Sequence, residues 1–333
     1  MLNNSITGVI KKRNRVVSPT GKLPEHILAM IFEVAVDTTW SRDQFYKTPL
    51  ALSSVCARWR DVALETRMIW RYVTLDIGIW RDISTHYGPG TFLKKADGAP
   101  IFLTVRSDKR LELLDMQYRI VELIDEIAPF SGSVVSLDVS FMHPEYMSTF
   151  VQSWLDQCTS VSLRNLSLAN QCEPINVGLW TAKSTAGDIE INSIAFVELL
   201  SQIRSLSISN AAIPRSRNAF HNLLELRIAN TLVRHRPSIR KVARVLACCS
   251  NIHTLELRHF APTRFRDEQV EPLVLPKLKS LSIGDTNSDG LAGLLSLIHW
   301  PLSNRLKLDY QEDLHPLYNE RAFASKVKLL FLR

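Results

Sequence analysis

The sequence is poor in the features that mark secreted, membrane-spanning and metal-binding proteins. Its 333 residues include only 12 glycines and five cysteines, and no two cysteines form a C-x-x-C pair. This pattern argues against a disulfide framework and against a zinc site. No apolar run approaches the ~18 residues that a membrane helix needs, and the first residues contain no apolar signal segment. We therefore expect an intracellular protein of the cytoplasm and/or nucleus, with no membrane partner and no metal.

Motifs for catalysis are also missing. The chain contains no G-x-S-x-G, no G-x-x-x-x-G-K-[ST], no H-E-x-x-H and no G-x-G-x-x-G sequence, and its histidines are scattered. Each of these motifs places a nucleophile, a phosphate loop or a metal ligand at a fixed spacing. Their absence predicts that the chain is not an enzyme and uses no cofactor.

Charge is distributed unevenly along the chain. The composition is that of a globular protein, with 46% hydrophobic and 22% charged residues and a formal net charge of +7. Residues 1–21 are predicted to be a disordered basic tail, either simply solvated, or a nuclear-localisation or nucleic-acid-contacting segment. The near balance of charge in the rest of the chain disfavours a nucleic-acid partner. The basic residues of residues 1–22, the tail and the residue after it, are Lys11, Lys12, Arg13, Arg15 and Lys22.

Apolar residues recur at helical spacing near the beginning of the chain. The segments 23–36, 50–64 and 65–71 each fit a short helix, and Pro24 suits a helix start because its missing N–H has no partner to lose. These segments predict a small helical domain over residues 22–72.

The pattern changes after this domain. From residue 73 onward, short period-two segments predict strands, and the template L-x-x-L-x-L recurs. Several matches are preceded by segments of helical period. Strand–helix alternation resembles leucine-rich repeats, since all intervals but one are 20–29 residues and the polar stretch Glu173–Ile191 accounts for the interval of 40 as an insertion. We therefore expect residues 73–333 to form such a domain. The central leucines of the template lie at positions 137, 166, 206, 226, 255 and 281.

The N-terminal segments also resemble a known motif. The string L-P-x-x-I-L-x-x-I-F at 23–32, then L-x-x-V-C-x-x-W-R-x-x-A-L at 52–64 and finally Trp70, is similar to the F-box. The resemblance is closest to the F-box-like proteins common in fungi, in which repeat-like sequence follows directly. The long loop Val36–Leu50 departs from the pattern. The resemblance implies an α+β/α-β solenoid: a three-helix F-box module followed by a curved leucine-rich-repeat-like array with a parallel inner sheet and outer helices.

This resemblance implies a function and a partner. The chain would be the substrate-recognition subunit of a cullin–RING (SCF-type) ubiquitin ligase, and it would bind a Skp-like adaptor through the F-box and an unknown protein target through the repeats. The alternative is a repeat scaffold for protein–protein interaction outside ubiquitination. The resemblance assigns adaptor binding to Leu23, Pro24, Ile27, Leu28, Ile31, Val55, Cys56, Trp59 and Trp70.

The target site is expected on the strands. In L-x-x-L-x-L the residues that flank the leucines point away from the core, because successive strand residues face opposite sides. These positions are polar or charged here, which suits a polar protein target, although solvated strand positions would show the same pattern. The candidate target-binding residues are Asp138, Asn165, Ser207, Arg227, Glu256 and Arg258.

Overall fold

A computed structural model describes most of the chain. Residues 1–18 of the predicted basic tail lie outside its described part. The described residues are 19–38, 47–77, 89–107, 113–159, 161–171, 194–210, 219–229, 239–259, 271–284, 288–299 and 305–309.

The chain divides into two compact units. Unit 1 comprises Met1–Leu75 and Ile83–Thr104, and unit 2 comprises Asp76–Asp82 and Val105–Arg333. Residues 83–104 follow the predicted helical domain in sequence, yet they belong to the same compact unit as that domain.

Unit 1 consists of short helices and the first strand segments. Its elements are a 3-10 turn at Pro19–Lys22, helices α1 (Glu25–Asp37), α2 (Lys47–Ser54) and α3 (Ala57–Glu65), a 3-10 turn at Arg67–Trp70, strand β1 (Tyr72–Asp76) up to Leu75, helix α4 (Pro89–Lys95) and the beginning of strand β2 (Ile101–Ser107).

Helix α1 contributes three buried apolar side chains to this unit. It begins after Pro24, whose ring restricts φ and suits a helix start. Leu28, Phe32 and Val36, spaced by four residues, form its buried face. The Phe32 ring lies 4.9 Å from the ring of Trp59 in α3, measured between centroids. This contact joins two of the segments that the sequence predicts to be helical.

Unit 2 contains the parallel sheet. Strands β3 (Val134–Phe141), β4 (Asn165–Asn170), β5 (Ser205–Ser209), β6 (Glu225–Ala229), β7 (Thr254–Arg258), β9 (Ser280–Gly284) and β11 (Arg305–Asp309) are adjacent in that order, and each neighbouring pair is parallel. Two shorter strands, β8 (Leu273–Val274) and β10 (Ile298–His299), pair separately. The helices are α5 (Leu113–Ile127), α6 (Pro144–Gln157), α7 (Ile194–Gln202), α8 (Ile239–Ala247) and α9 (Ser288–Leu297), and a 3-10 turn at Ala128–Ser133 precedes β3.

The strands keep one register across the sheet, and this register builds the core. Leu137, Leu166, Leu206, Leu226, Leu255 and Leu281 pair in one continuous row, and all are buried. A second buried row, two residues further along each strand, contains Val139, Leu168, Ile208, Ile228, Leu257 and Ile283. Since side chains alternate between the two faces of a strand, the residues between these rows form a separate polar face.

The predicted fold class is wrong. The structure is an α/β fold with a large parallel sheet, and it does not show a three-helix N-terminal module followed by a curved solenoid. The segment 50–64 is two helices, because Cys56 is extended (φ −161°, ψ 171°) and interrupts the helical hydrogen bonding. The segment 65–71 contains only the 3-10 turn Arg67–Trp70, and its tryptophan packs against helix α4, which the prediction did not include.

Candidate functional site

Helix α1 is apolar on two opposite faces. Leu28 and Phe32 face the core of unit 1, whereas Met30, Ile31 and Val34 are 60%, 45% and 62% exposed. With 3.6 residues per turn, these three side chains share one side of the helix, roughly opposite the buried face. We call them the apolar stripe. A helix that is apolar all round is normally buried all round, so the stripe is surface that a partner could cover.

The predicted adaptor-binding residues fall into three groups by burial. Leu28 and Trp70 are buried and belong to the core of unit 1, 1% and 2% exposed. The others retain accessible surface: Pro24, Ile31, Val55 and Cys56 are exposed, and Leu23, Ile27 and Trp59 are half-buried.

Trp70 is fixed in the interior by polar as well as apolar contacts. Its indole Nε1 donates a 2.7 Å hydrogen bond to the backbone carbonyl of Ala63. The Lys95 Nζ lies 4.1 Å from the centroid of the indole ring, and the Phe92 ring centroid lies 6.0 Å away. Burial lowers the pKa of Lys95. Because the indole is buried and its N–H and its ring both have partners within unit 1, Trp70 is a core residue rather than a surface one.

The region around Trp59 connects α3 to the start of α1. The Cys56 Sγ accepts a hydrogen bond from the Trp59 backbone N–H at 3.5 Å and caps helix α3. The Arg58 guanidinium donates to the backbone carbonyls of Leu23 and of Thr20, the latter at 3.2 Å. Arg58 therefore holds the Leu-Pro entry to α1, a role that sequence reasoning missed because Arg58 lies at a variable position of C-x-x-W-R.

On the sheet of unit 2, the predicted target-binding residues lie close together. Four of them occupy one row across the polar face. Asn165 lies in the preceding row, paired with Ser136 and Ser205, and Arg258 lies in the following row, paired with Ala229. The central row is Asp138, Ser167, Ser207, Arg227, Glu256 and Ser282.

The charged members of this face form a connected ladder on β6 and β7. The Arg227 Nε lies 3.4 Å from an oxygen of Glu256, and its Nη2 lies 3.8 Å from Glu225. The Arg258 Nε lies 2.6 Å from the other Glu256 oxygen, and the Ser205 hydroxyl donates to Glu225 at 3.2 Å. Exposed pairs of this kind contribute about 0.2–1 kcal/mol each. The charged ladder is therefore a neutral, solvent-accessible polar surface whose side chains can be rearranged at little cost.

A second charged feature lies where the strands of the same sheet begin, at their amino-terminal ends. The Arg204 N–H donates to the Arg164 carbonyl at 2.7 Å, and the Lys279 N–H donates to the His253 carbonyl at 2.8 Å. These residues and Lys277 form what we call the basic edge. Sequence reasoning missed it because only the positions that flank the central leucines were compared. Aligning the second position of L-x-x-L-x-L would have found Arg164, Arg204, His253 and Lys279.

The thiols differ in accessibility. Burial raises the pKa of Cys249 to about 12 and that of Cys158 to about 11, although a hydrogen bond with Ser131 opposes the latter shift. Both thiols therefore remain protonated at neutral pH and are poor nucleophiles. Cys56 is exposed at the start of α3.

Comparison with known proteins does not assign a family. No protein-family model matches the chain, and a search of curated proteins finds no significantly similar sequence. Among the described residues, no group of three or more His, Cys, Asp or Glu side chains could hold a metal ion. In the same part of the chain, no helix combines the length and apolarity needed to span a bilayer. Function is therefore inferred from the surfaces of the two units.

Proposed function

We propose that this chain is the target-recognition subunit of a cullin–RING ubiquitin ligase. Helices of unit 1 bind a Skp-like adaptor, and the polar face of the sheet in unit 2 binds a protein target. Two features support the proposal: the F-box-like sequence over residues 23–70, and the exposure of apolar side chains within that same segment. The complex operates in the cytoplasm or nucleus.

The observation that carries the proposal is the apolar stripe. Met30, Ile31 and Val34 expose about half or more of their surface although α1 is already anchored by its opposite face. Fully burying such a side chain contributes about 1.5–3 kcal/mol, so covering the part that is still exposed would contribute about 1 kcal/mol for each. Three neighbouring side chains of this kind supply the apolar centre that protein interfaces use.

Further adaptor contacts come from the accessible residues of the F-box-like segment. Trp59 is the strongest single candidate, because its ring is held by Phe32 on one side and remains half-exposed. Rigid aromatic side chains at the centre of an interface often contribute 2 kcal/mol or more, about 30-fold in affinity. Val55 and Cys56 are exposed between α2 and α3.

In this proposal the chain supplies no catalytic group. The ligase holds a target beside a charged ubiquitin-conjugating enzyme, and reaction follows from the raised local concentration of target lysines. The polar face suits this task because hydroxyl groups and the charged ladder present donors and acceptors without a deep apolar pocket. A polar segment of a protein can form hydrogen bonds with such a surface.

The experiment that tests the proposal is adaptor capture by the full chain. The variant Ile31→Gln/Val34→Gln replaces two of the three residues of the stripe with glutamine, a polar residue that favours helix formation. Its control, Val274→Gln, makes the same change at an exposed valine of unit 2. We expect wild type and control to co-purify with a Skp-like adaptor, and the stripe variant to lose at least about 90% of the captured adaptor at unchanged melting temperature.

Two results would overturn the proposal. One is that wild-type chain captures no adaptor under conditions in which it is folded. The other is that the stripe variant and the control capture equal amounts. A chain that binds a protein target but no adaptor would instead be a scaffold for protein–protein interaction outside ubiquitination.

A further inference from the structure

We propose that the basic edge of the sheet binds an acidic polypeptide segment. The inference rests on the proposed function in one respect, since it names the chemistry of the target that the ligase subunit would recruit. The binding itself is a property of unit 2 and can be measured without an adaptor.

The first observation is that basic residues lie on successive strands of this edge. Backbone hydrogen bonds place Arg204 beside Arg164, and Lys279 beside His253, with Leu224 between the two pairs. Arg164 and Arg204 precede adjacent strands, which are about 4.8 Å apart, so their charges reinforce each other, and Lys279 extends the positive surface three strands further along the edge. The side chains of Arg204, Lys277 and Lys279 are exposed, and those of Arg164 and His253 are half-buried.

The second observation is that acids are missing from this edge. The described turns that lead into β4, β5, β6, β7 and β9 contain no Asp or Glu. The strands that follow these turns contain their first acidic residue at Glu225, the first residue of β6. Its carboxylate already contacts Arg227 and Ser205. Among the described residues, neither Arg204 nor Lys279 makes an ion pair. A positive surface without internal compensation favours an acidic ligand.

The third observation is that the turns of this edge are fastened to one another. The Asn222 side-chain amide donates to the Ser201 carbonyl at 2.8 Å, and the Asn251 amide donates to the His221 carbonyl at 2.8 Å. The Lys277 Nζ in turn donates to the Asn251 Oδ1 at 2.7 Å. These bonds order successive turns before a ligand arrives, so less conformational entropy is lost on binding.

The chemistry of the edge favours a peptide over a nucleic acid. Arginine pairs with carboxylates through two parallel hydrogen bonds, and lysine adds a mobile point charge. Single-stranded nucleic acids also need aromatic side chains on which bases stack. In the described turns before β4, β5, β6, β7 and β9, the Phe220 ring is buried and unavailable for stacking.

The test measures peptide affinity of the full chain by fluorescence anisotropy. The probe is a labelled deca-glutamate peptide, with a deca-lysine peptide and a ten-nucleotide oligothymidine for comparison. The variant Arg204→Ala/Lys279→Ala removes two charges from the edge. Its control, Arg240→Ala/Arg244→Ala, removes two exposed charges from helix α8 of the same unit.

We expect the chain to prefer deca-glutamate over both other probes. The edge variant should weaken this binding about tenfold, because it removes two exposed ion pairs with the peptide and each contributes up to about 1 kcal/mol. The control removes no contact with the peptide, so its affinity should fall less than about twofold. Raising the salt concentration from 0.15 to 0.5 M should weaken wild-type binding because the charges are screened.

Three results would overturn the inference: no binding of deca-glutamate, equal losses in the edge variant and the control, or tighter binding of oligothymidine than of deca-glutamate. Adaptor capture by the same preparations separates this failure from that of the proposed function. Intact capture without peptide binding removes only the acidic-ligand inference, and peptide binding without capture removes only the ligase assignment.

Discussion

Trp70 and Trp59 provide a direct test of how unit 1 is built. The two tryptophans occur in the same F-box-like segment, but Trp70 is buried whereas Trp59 is half-exposed. The variant Trp70→Phe removes the indole N–H and leaves the carbonyl of Ala63, itself fully buried, without that donor. We expect this variant to destabilise unit 1. The variant Trp59→Phe keeps an aromatic ring against Phe32 and should change stability little.

Two contributions determine how much Trp70→Phe lowers the free energy of unfolding. A buried carbonyl that loses its donor costs about 1–3 kcal/mol. The smaller ring also leaves unfilled volume beside Phe92 and Lys95, which adds about 1 kcal/mol if the surroundings relax partly. The sum is about 2–4 kcal/mol for Trp70→Phe. For Trp59→Phe we expect about 1 kcal/mol or less.

Hydrogen–deuterium exchange during a urea titration measures this difference where it arises. Peptides from Ala57–Asp76 should lose protection at lower urea in Trp70→Phe than in wild type, while peptides from Asn165–Asn170 in unit 2 should not change. Equal urea midpoints for Trp70→Phe and wild type, together with lost adaptor capture, would refute the reasoning. Trp70 would then act at the interface, as the sequence motif suggests.

Other predictions concern the sheet, the thiols and one turn. Leu226→Ala should destabilise unit 2 by about 2–5 kcal/mol, because it empties the centre of a buried leucine row, whereas Arg227→Ala on the other face should cost about 1 kcal/mol or less in urea unfolding. Ellman's reagent at pH 8 should modify Cys56 within minutes and Cys249 only on unfolding. Because burial raises the pKa of Cys249 from 9.0 to about 12, folding favours the protonated thiol; the stability that this contributes is fully present below about pH 9 and lost between about pH 9 and pH 12, which melting curves of wild type and Cys249→Ala over this range would show. Gly98→Ala should lower the melting temperature by several degrees, because φ is +80° there and an added Cβ would lie 3.2 Å from the Arg67 guanidinium.

The sheet could be anticipated because its signal is local. The L-x-x-L-x-L template places strands at the observed positions, and the period-two alternation assigns the central leucines to the core. The same alternation places Asp138, Ser207, Arg227 and Glu256 on the opposite face. That these four share one row depends on register, which follows when every strand aligns the same leucine.

Unit 1 could not be anticipated to the same extent, because tertiary contacts decide which apolar residue is covered. Ile31 and Leu28 are both apolar residues of one helix, yet only Leu28 is buried. The F-box resemblance assigns Trp70 to the adaptor interface, and no motif in the sequence announces helix α4, whose Phe92 and Lys95 pack against Trp70. The break at Cys56 was also missed, since the residues on either side continue the helical rhythm.

The aligned leucine rows have a consequence for how this chain can vary. Successive central leucines from position 137 to position 281 are separated by 29, 40, 20, 29 and 26 residues, yet their strands pair without any slip. Differences in length are therefore absorbed between strands and never within them. The connections between strands can lengthen or shorten while the charges and hydroxyls of the polar face keep their positions. Equally, the residues of the polar face can be substituted without a change in the lengths of the connections. Length and surface chemistry are independent variables in this architecture.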